Sequence, residues 1–202
     1  DMLSVTGACR AASECGGDWW GHFTTESGHE CIIIADATGH GAPAALVTAM
    51  AYSGAGTMAE FFSQQGNNIS SPAEILSMMN KVLYRAGRGT TTMTAFAALI
   101  DPVTGEMRVS NAGHNAPILV PVNMEEERIK MMSGKARSKR KAKFKHVTLK
   151  ARGNPLGLGD DTTYDEKIYQ LGAGDKLIMY TDGIIECTNC LLYTSPSPRD
   201  RY

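Results

Sequence analysis

The residue pattern predicts an α+β fold with a layered architecture, its helices segregated from its strands. Three observations carry this. A continuous apolar run, Cys31-Ile32-Ile33-Ile34, has the character of a strand covered on both faces. Two successive stretches, 43–62 and 71–87, carry helical signals. From Thr91 onward the pattern returns to short strands between Gly, Pro and Asp clusters. A doubly wound parallel sheet would instead alternate strand and helix along the chain.

Taken in order, residues 2–12 read as a short strand region leading into Cys15-Gly16-Gly17-Asp18, and 29–35 as the buried strand. The turn Asp36-Ala37-Thr38-Gly39-His40-Gly41 follows. Pro43, whose fixed φ suits a first helical turn, then opens a helix to about residue 62. Its Ala44, Ala45, Ala49, Ala51, Gly54 and Gly56 let it lie close against a neighbour. Ser71-Pro72-Ala73-Glu74 has capping-box spacing, and Ile75, Leu76, Met79, Val82 and Leu83 form one apolar face of a second helix ending near Gly87. Strands are expected at 94–100, 107–110 and 118–122, the first two joined by the turn Asp101-Pro102-Val103-Thr104-Gly105. Further strands are expected at 146–150, 164–171 and 176–180.

The 202 residues, 43% hydrophobic and 20% charged, suffice for one well-buried core. A formal net charge of -1 indicates neither nucleic acid nor a membrane surface, yet the charge is uneven. Eleven Lys or Arg and no acidic residue fall between Arg128 and Arg152, leaving nine basic against 21 acidic groups elsewhere. Residues 123–145 therefore read as a basic loop insertion, first of all a solvated excursion. A docking surface for an acidic or phosphorylated partner is the sharper alternative. A nucleic-acid element ranks last, because only Phe144 interleaves an aromatic ring with the charges. Five cysteines without dense regular spacing indicate free thiols and a cytoplasmic setting. No run approaches the roughly 18 apolar residues of a membrane span. The abrupt start at Asp1 leads us to expect an upstream sensory or membrane-anchored region in the full protein.

Residues 190–200 match one reading frame of a common transposase-type sequencing adapter, so 190–202 are expected to be foreign and 1–189 the functional domain. The C-x-x-C spacing of Cys187 and Cys190 thereby loses its second thiol, and with it any redox or zinc reading.

Chemistry concentrates in three Asp residues, each where an apolar strand meets a glycine turn: Gly16-Gly17-Asp18, Ile34-Ala35-Asp36-Ala37-Thr38-Gly39 and Met179-Tyr180-Thr181-Asp182-Gly183. A strand end holds a carboxylate rigidly, and the glycine lets a carbonyl or ligand come close. One such turn is usually only a strand cap, but three of one form suit hard cations such as Mg²⁺ or Mn²⁺, which prefer oxygen donors. No G-x-S-x-G motif offers an alternative nucleophile. The Gly39-His40-Gly41 turn precedes a helix N-terminus, a favourable place for an anion, so it is the candidate substrate contact. His40 reads equally well as a turn-stabilising residue. His114 reads as a loop-fixing residue, Trp19 and Trp20 as packing groups, Asp101 as a turn residue and Asp160-Asp161 as an ordinary loop.

Five ordered motifs add a resemblance: Gly16-Gly17-Asp18-Trp19-Trp20, the stretch from Asp36-Ala37-Thr38-Gly39-His40-Gly41 to Ala45, Asn111-Ala112-Gly113-His114-Asn115, Pro155-Leu156-Gly157-Leu158 and Tyr180-Thr181-Asp182-Gly183. Over about residues 2–189 the chain resembles the SpoIIE-like phosphatases, the bacterial branch of the PPM, or protein phosphatase 2C-like, family. The resemblance implies a sandwich of two antiparallel sheets flanked by helices, incomplete here at the C-terminus, with a centre of two Mn²⁺ or Mg²⁺ ions. It implies Asp18, Asp36 and Asp182 as the catalytic ligands and Ala37 as a backbone carbonyl ligand. It also implies hydrolysis of phosphoserine or phosphothreonine on a regulatory protein of the anti-sigma-factor-antagonist type, with no nucleic acid involved. Two departures stand against it: Gly21 where many relatives carry a second acidic residue, and no counterpart of the family's late Asp ligand. They leave a rival reading, a catalytically weak signalling module that binds a phosphorylated partner.

Overall fold

The apolar run becomes strand β2, Glu30–Ala37, in the computed structural model, which describes residues 3–10, 16–64, 71–122 and 146–185. β2 pairs antiparallel with β1, Asp18–Thr24, on one side and with β3, Met93–Ile100, on the other. β4, Glu106–Ala112, β5, Ile118–Val120, β6, Val147–Thr148, β7, Glu166–Gln170, and β8, Lys176–Ile178, follow. The larger sheet has the order β1-β2-β3-β4-β7 and the smaller β6-β5-β8, with every strand pairing antiparallel.

Successive residues of a strand point to opposite faces, so the larger sheet divides the interior in two. On one face Ile33, Ala35, Ala97 and Leu99 pack beneath helices α1, Ala42–Gln64, and α2, Pro72–Gly87. On the other, Ile34, Phe96, Ala98 and Val109 meet Leu119, Val147 and Leu149 from the region of the smaller sheet. The layers therefore run helices, sheet, sheet, the α+β sandwich expected from the order of elements.

Of the small residues of α1 expected to lie against a neighbour, Ala44 and Ala51 are buried, whereas Ala49 and Gly56 face solvent. Ala44, Val47, Ala51 and Ala55, three or four apart, form its buried stripe. In α2 the Ser71 hydroxyl accepts the Ala73 N–H at 3.2 Å, a cap, and itself donates to Glu166 of β7 at 2.6 Å, tying the helix start to the sheet edge. Ile75, Leu76, Met79 and Leu83 are buried, whereas Val82 is 39% exposed, set to the flank of the apolar face it was expected to join. The enclosed residue is instead Asn80. Its amide nitrogen donates to the Gly159 carbonyl at 2.8 Å and its Oδ1 accepts the Gly157 N–H at 2.8 Å. That clamps α2 onto the Pro155-Leu156-Gly157-Leu158 loop.

The first strand corrects the sequence reading. Residues 3–10 form no strand, and β1 begins only after the glycine turn. Trp19 and Phe23 pack toward the helices and Trp20 toward the second sheet, so both faces are apolar. Gly21 and His22 interrupt what would otherwise read as a hydrophobic run. The basic segment 123–145 and the tail 190–202 lie outside the described residues. The strands flanking the basic segment, β5 and β6, are antiparallel partners. No described helix is long and apolar enough to cross a membrane.

Candidate functional site

Strand register assembles the site. Asp18 of β1 stands opposite Asp36 of β2, and Asp36 opposite Thr94 of β3. Residues directly opposite in antiparallel strands share a face, and here it is the face toward the second sheet, the one that also carries Trp20, Ile34 and Phe96. All three polar residues therefore sit at the rim of the intersheet core, with Asp18, Asp36 and Thr94 half-buried.

The chain leaving β8 completes the rim. Met179 is anchored in the intersheet core, and two residues on, the Thr181 hydroxyl donates to Asp18 Oδ2 at 3.0 Å. Asp182 then opens a single 3₁₀ turn, closed by the Ile185 N–H on the Asp182 carbonyl at 2.7 Å. The Asp182 side is exposed to solvent. Three segments distant in sequence thus deliver the three predicted carboxylates to one edge of the sandwich.

Ala37 ends β2 beside the glycine turn that precedes Asp18. Its N–H donates to the Gly17 carbonyl at 3.0 Å, which also receives the Thr48 hydroxyl of α1 at 2.7 Å. A β-carbon at Gly17 would come within 3.0 Å of the Ala37 oxygen, so the glycine beside Asp18 permits this approach. The following turn is held by Thr38, whose N–H donates to the Thr92 carbonyl at 3.0 Å. Gly39 and Gly41 have φ of 99° and 72°, the left-handed region that side chains avoid. His40 between them is exposed and makes no side-chain hydrogen bond among the described residues, so its turn-stabilising role finds no contact to support it. The first turn of α1 carries no acidic residue to neutralise its N–H groups.

His114 is the residue that sequence reasoning undervalued. As expected it is part of a fixed loop: Asn111 accepts its N–H at 2.7 Å and donates to its carbonyl at 3.0 Å. Its ring does more. His114 is 7% exposed, its Nδ1 shares a 2.8 Å hydrogen bond with the Thr94 hydroxyl, and its buried Nε2 meets no strict hydrogen-bond geometry with a described residue, although the Tyr180 backbone lies near enough to act on the ring. Burial lowers its pKa below the ordinary histidine value, against the opposing pull of the Tyr180 backbone and the carboxylates of Asp18 and Asp182. Burial therefore disfavours the protonated imidazole, which lies within the field of two candidate ligands. The motif Asn-Ala-Gly-His-Asn was the available signal, but its proximity to Thr94 depends on a register that sequence does not display.

Gly21 changes meaning in the structure. It lies on the opposite face of β1 from Asp18, and a β-carbon there would meet the Trp19 ring at 2.8 Å. A carboxylate at that position would point toward the helix layer, so its absence takes nothing from the rim.

The oxygen-rich rim fits a hard divalent cation in kind. Among the described residues no three Asp, Glu, His or Cys side chains gather into a group able to hold an ion. Mg²⁺ and Mn²⁺ retain several waters and are commonly bound through one or two carboxylates, the provision made by Asp18 facing Asp36 beside the Ala37 carbonyl.

Comparison with known proteins places this architecture. Residues 26–192 match the family model for Stage II sporulation protein E (SpoIIE). Phosphoserine phosphatase RsbP of Bacillus subtilis (strain 168) is 24% identical over 198 residues, 96% of this chain and 42% of that protein. The chain thus spans less than half the length of that curated relative. The structure of the PP2C phosphatase domain and a fragment of the regulatory domain of SpoIIE from Bacillus subtilis superposes with a TM-score of 0.61 at 16% identity, covering 90% of this chain and 46% of that one. RsbX in complex with magnesium gives a TM-score of 0.59 at 16% identity, covering 85% and 69%. With most of the sequence matched by one family model, and with the sandwich of a PP2C-type domain beneath it, this chain belongs to the SpoIIE family.

Proposed function

We propose that the chain is a serine/threonine phosphatase domain that hydrolyses phosphoserine or phosphothreonine on a bacterial regulatory protein of the anti-sigma-factor-antagonist type. The observation that carries this reading is the placement of Asp18 opposite Asp36 at the sandwich rim, with Thr181 bonded to Asp18 and Asp182 next in the chain. The similarity to a protein named phosphoserine phosphatase supports the substrate class.

In this reading Asp18, Asp36 and Asp182 hold two Mn²⁺ or Mg²⁺ ions, with the Ala37 carbonyl as a further donor. When bound, the cations supply Lewis acidity that lets water lose a proton near neutral pH and offsets the charge of the phosphoryl oxygens. The chain's own residues do the rest. Thr181 fixes the orientation of the Asp18 carboxylate through its 3.0 Å hydrogen bond. The exposed Gly39-His40-Gly41 turn and the N–H groups opening α1 receive the phosphate, as an unneutralised helix start favours an anion. His114, buried and braced by Thr94, packs behind the rim. Of the two departures behind the rival reading of a weak binding module, Gly21 loses its weight because it does not face the site, while the missing late Asp ligand still supports that reading.

The test is phosphate release from an aryl phosphate and from a phosphoserine protein in the presence of Mn²⁺. Asp36→Asn is expected to lower the rate by at least ~100-fold, the upper end of what loss of even an outer-shell partner of a metal ligand costs. Metal-independent hydrolysis, or an Asp36→Asn variant as fast as the parent, would overturn the proposal.

A further inference from the structure

His114 also lines a shallow cavity of about 580 Å³ open to solvent, within the size range of ligand sites. Asn111 near the end of β4, with Gly113 and His114 of the loop that follows, forms one wall, and Arg152, Gly153 and Asp165 contribute to the other. The walls approach closely because both glycines lack a β-carbon: one at Gly153 would stand 2.2 Å from the Asn111 carbonyl, and one at Gly113 3.2 Å from the Pro155 ring. Asn111 has its side chain fully occupied in bracing the loop, so the lining is set independently of any ligand.

Two charged groups of this lining have bonding capacity to spare. The Arg152 guanidinium is exposed and makes no ion pair or hydrogen bond among the described residues. Asp165 binds the Ser110 hydroxyl only through its backbone carbonyl, at 2.9 Å, and does not pair with Arg152. A cavity with an uncommitted cation at one position and a carboxylate at another is poorly suited to an apolar ligand. It suits an extended peptide, whose backbone N–H groups and acidic side chains satisfy both. Its common wall with the carboxylate rim is His114, whose Nδ1 shares a 2.8 Å hydrogen bond with Thr94, the residue opposite Asp36.

Resting on the phosphatase reading, we propose that this cavity is a substrate subsite. It seats residues flanking the phosphorylated Ser or Thr, with Arg152 pairing with an acidic side chain of the substrate. A guanidinium suits this task because its planar fork matches a carboxylate. The subsite would make an acidic residue near the phosphorylation site a specificity determinant.

The experiment measures binding of fluorescent phosphoserine peptides carrying Glu, Gln or Lys on either side of the phosphoserine. Alongside it, Mn²⁺-dependent hydrolysis of an aryl phosphate by the parent chain is measured. The parent is expected to favour the Glu peptide over the Gln peptide by about fivefold, the scale of a solvent-exposed ion pair. Arg152→Gln should remove the preference, and Arg152→Glu should transfer it to the Lys peptide, a reversal that a merely unfolded variant cannot produce. Equal affinity for the three peptides, absence of peptide binding, or a preference that survives both substitutions would overturn the subsite. An Arg152-dependent preference without any aryl phosphate hydrolysis would sink the phosphatase reading while leaving the peptide site standing. Hydrolysis without the preference would do the reverse.

Discussion

Tyr164 shows at the scale of one residue how burial and bonding separate. It is 8% exposed in the helix-side core, yet its hydroxyl finds no hydrogen-bond partner among the described residues. Burial alone pushes its pKa up to about 12. The unfolded phenol ionises near 10, so between about pH 10 and 12 the unfolded chain sheds a proton that the fold keeps, and stability falls as pH rises. Tyr164→Phe removes a buried, unmatched hydroxyl. It is expected to raise stability by about 1 kcal/mol at pH 7 and to flatten the alkaline loss. Urea unfolding at pH 7 and above pH 10 checks both, and a destabilised variant would show that the hydroxyl has a partner after all. The three aspartates were legible because each sits in a short motif with a glycine. Thr94, Thr181 and the ring of His114 were not, because their relation to those aspartates is a matter of cross-strand register and of where β8 ends.

Among elements, α2 is the best predicted and also the most instructive. Its period of apolar residues located the helix, and its cap is the serine that the sequence nominated. What periodicity could not show is that a polar residue shares the buried stripe. Asn80 is fully enclosed and holds the loop at Gly157 and Gly159 with both ends of its amide. Asn80→Ala leaves the Gly157 N–H without its acceptor, so a loss of about 2–3 kcal/mol is expected in chemical denaturation. A change under 0.5 kcal/mol would mean that water substitutes for the amide. β1 failed as a prediction for the complementary reason. Alternation identifies a strand only when one face is polar, and a strand between helices and a second sheet presents apolar residues to both.

For the molecule as a whole, the α+β class followed from element order, while the division into a five-stranded and a three-stranded sheet required long-range pairings. The same pairings impose a cost. Asp18 and Asp36 face each other across β1 and β2, and like charges directly opposite destabilise a sheet. A divalent cation bound there should offset the repulsion and favour the fold. Mn²⁺ at about 100 times its dissociation constant is expected to stabilise the chain by about 2.7 kcal/mol. A thermal shift that appears with Mn²⁺, disappears with chelator and is absent in Asp36→Asn would match this expectation, and an unchanged melting temperature would contradict it.

The antiparallel pairing of β5 with β6 has a further consequence. Ile118 pairs with Thr148 and Leu119 with Val147, so the two ends between which the connection from β5 to β6 must close are held near each other by the ladder. Doubling or halving such a linker alters closure entropy by only about 0.6 kcal/mol. The connection between β5 and β6 is therefore a natural port for grafting a reporter or an affinity handle, because its ends are already brought together by strand pairing.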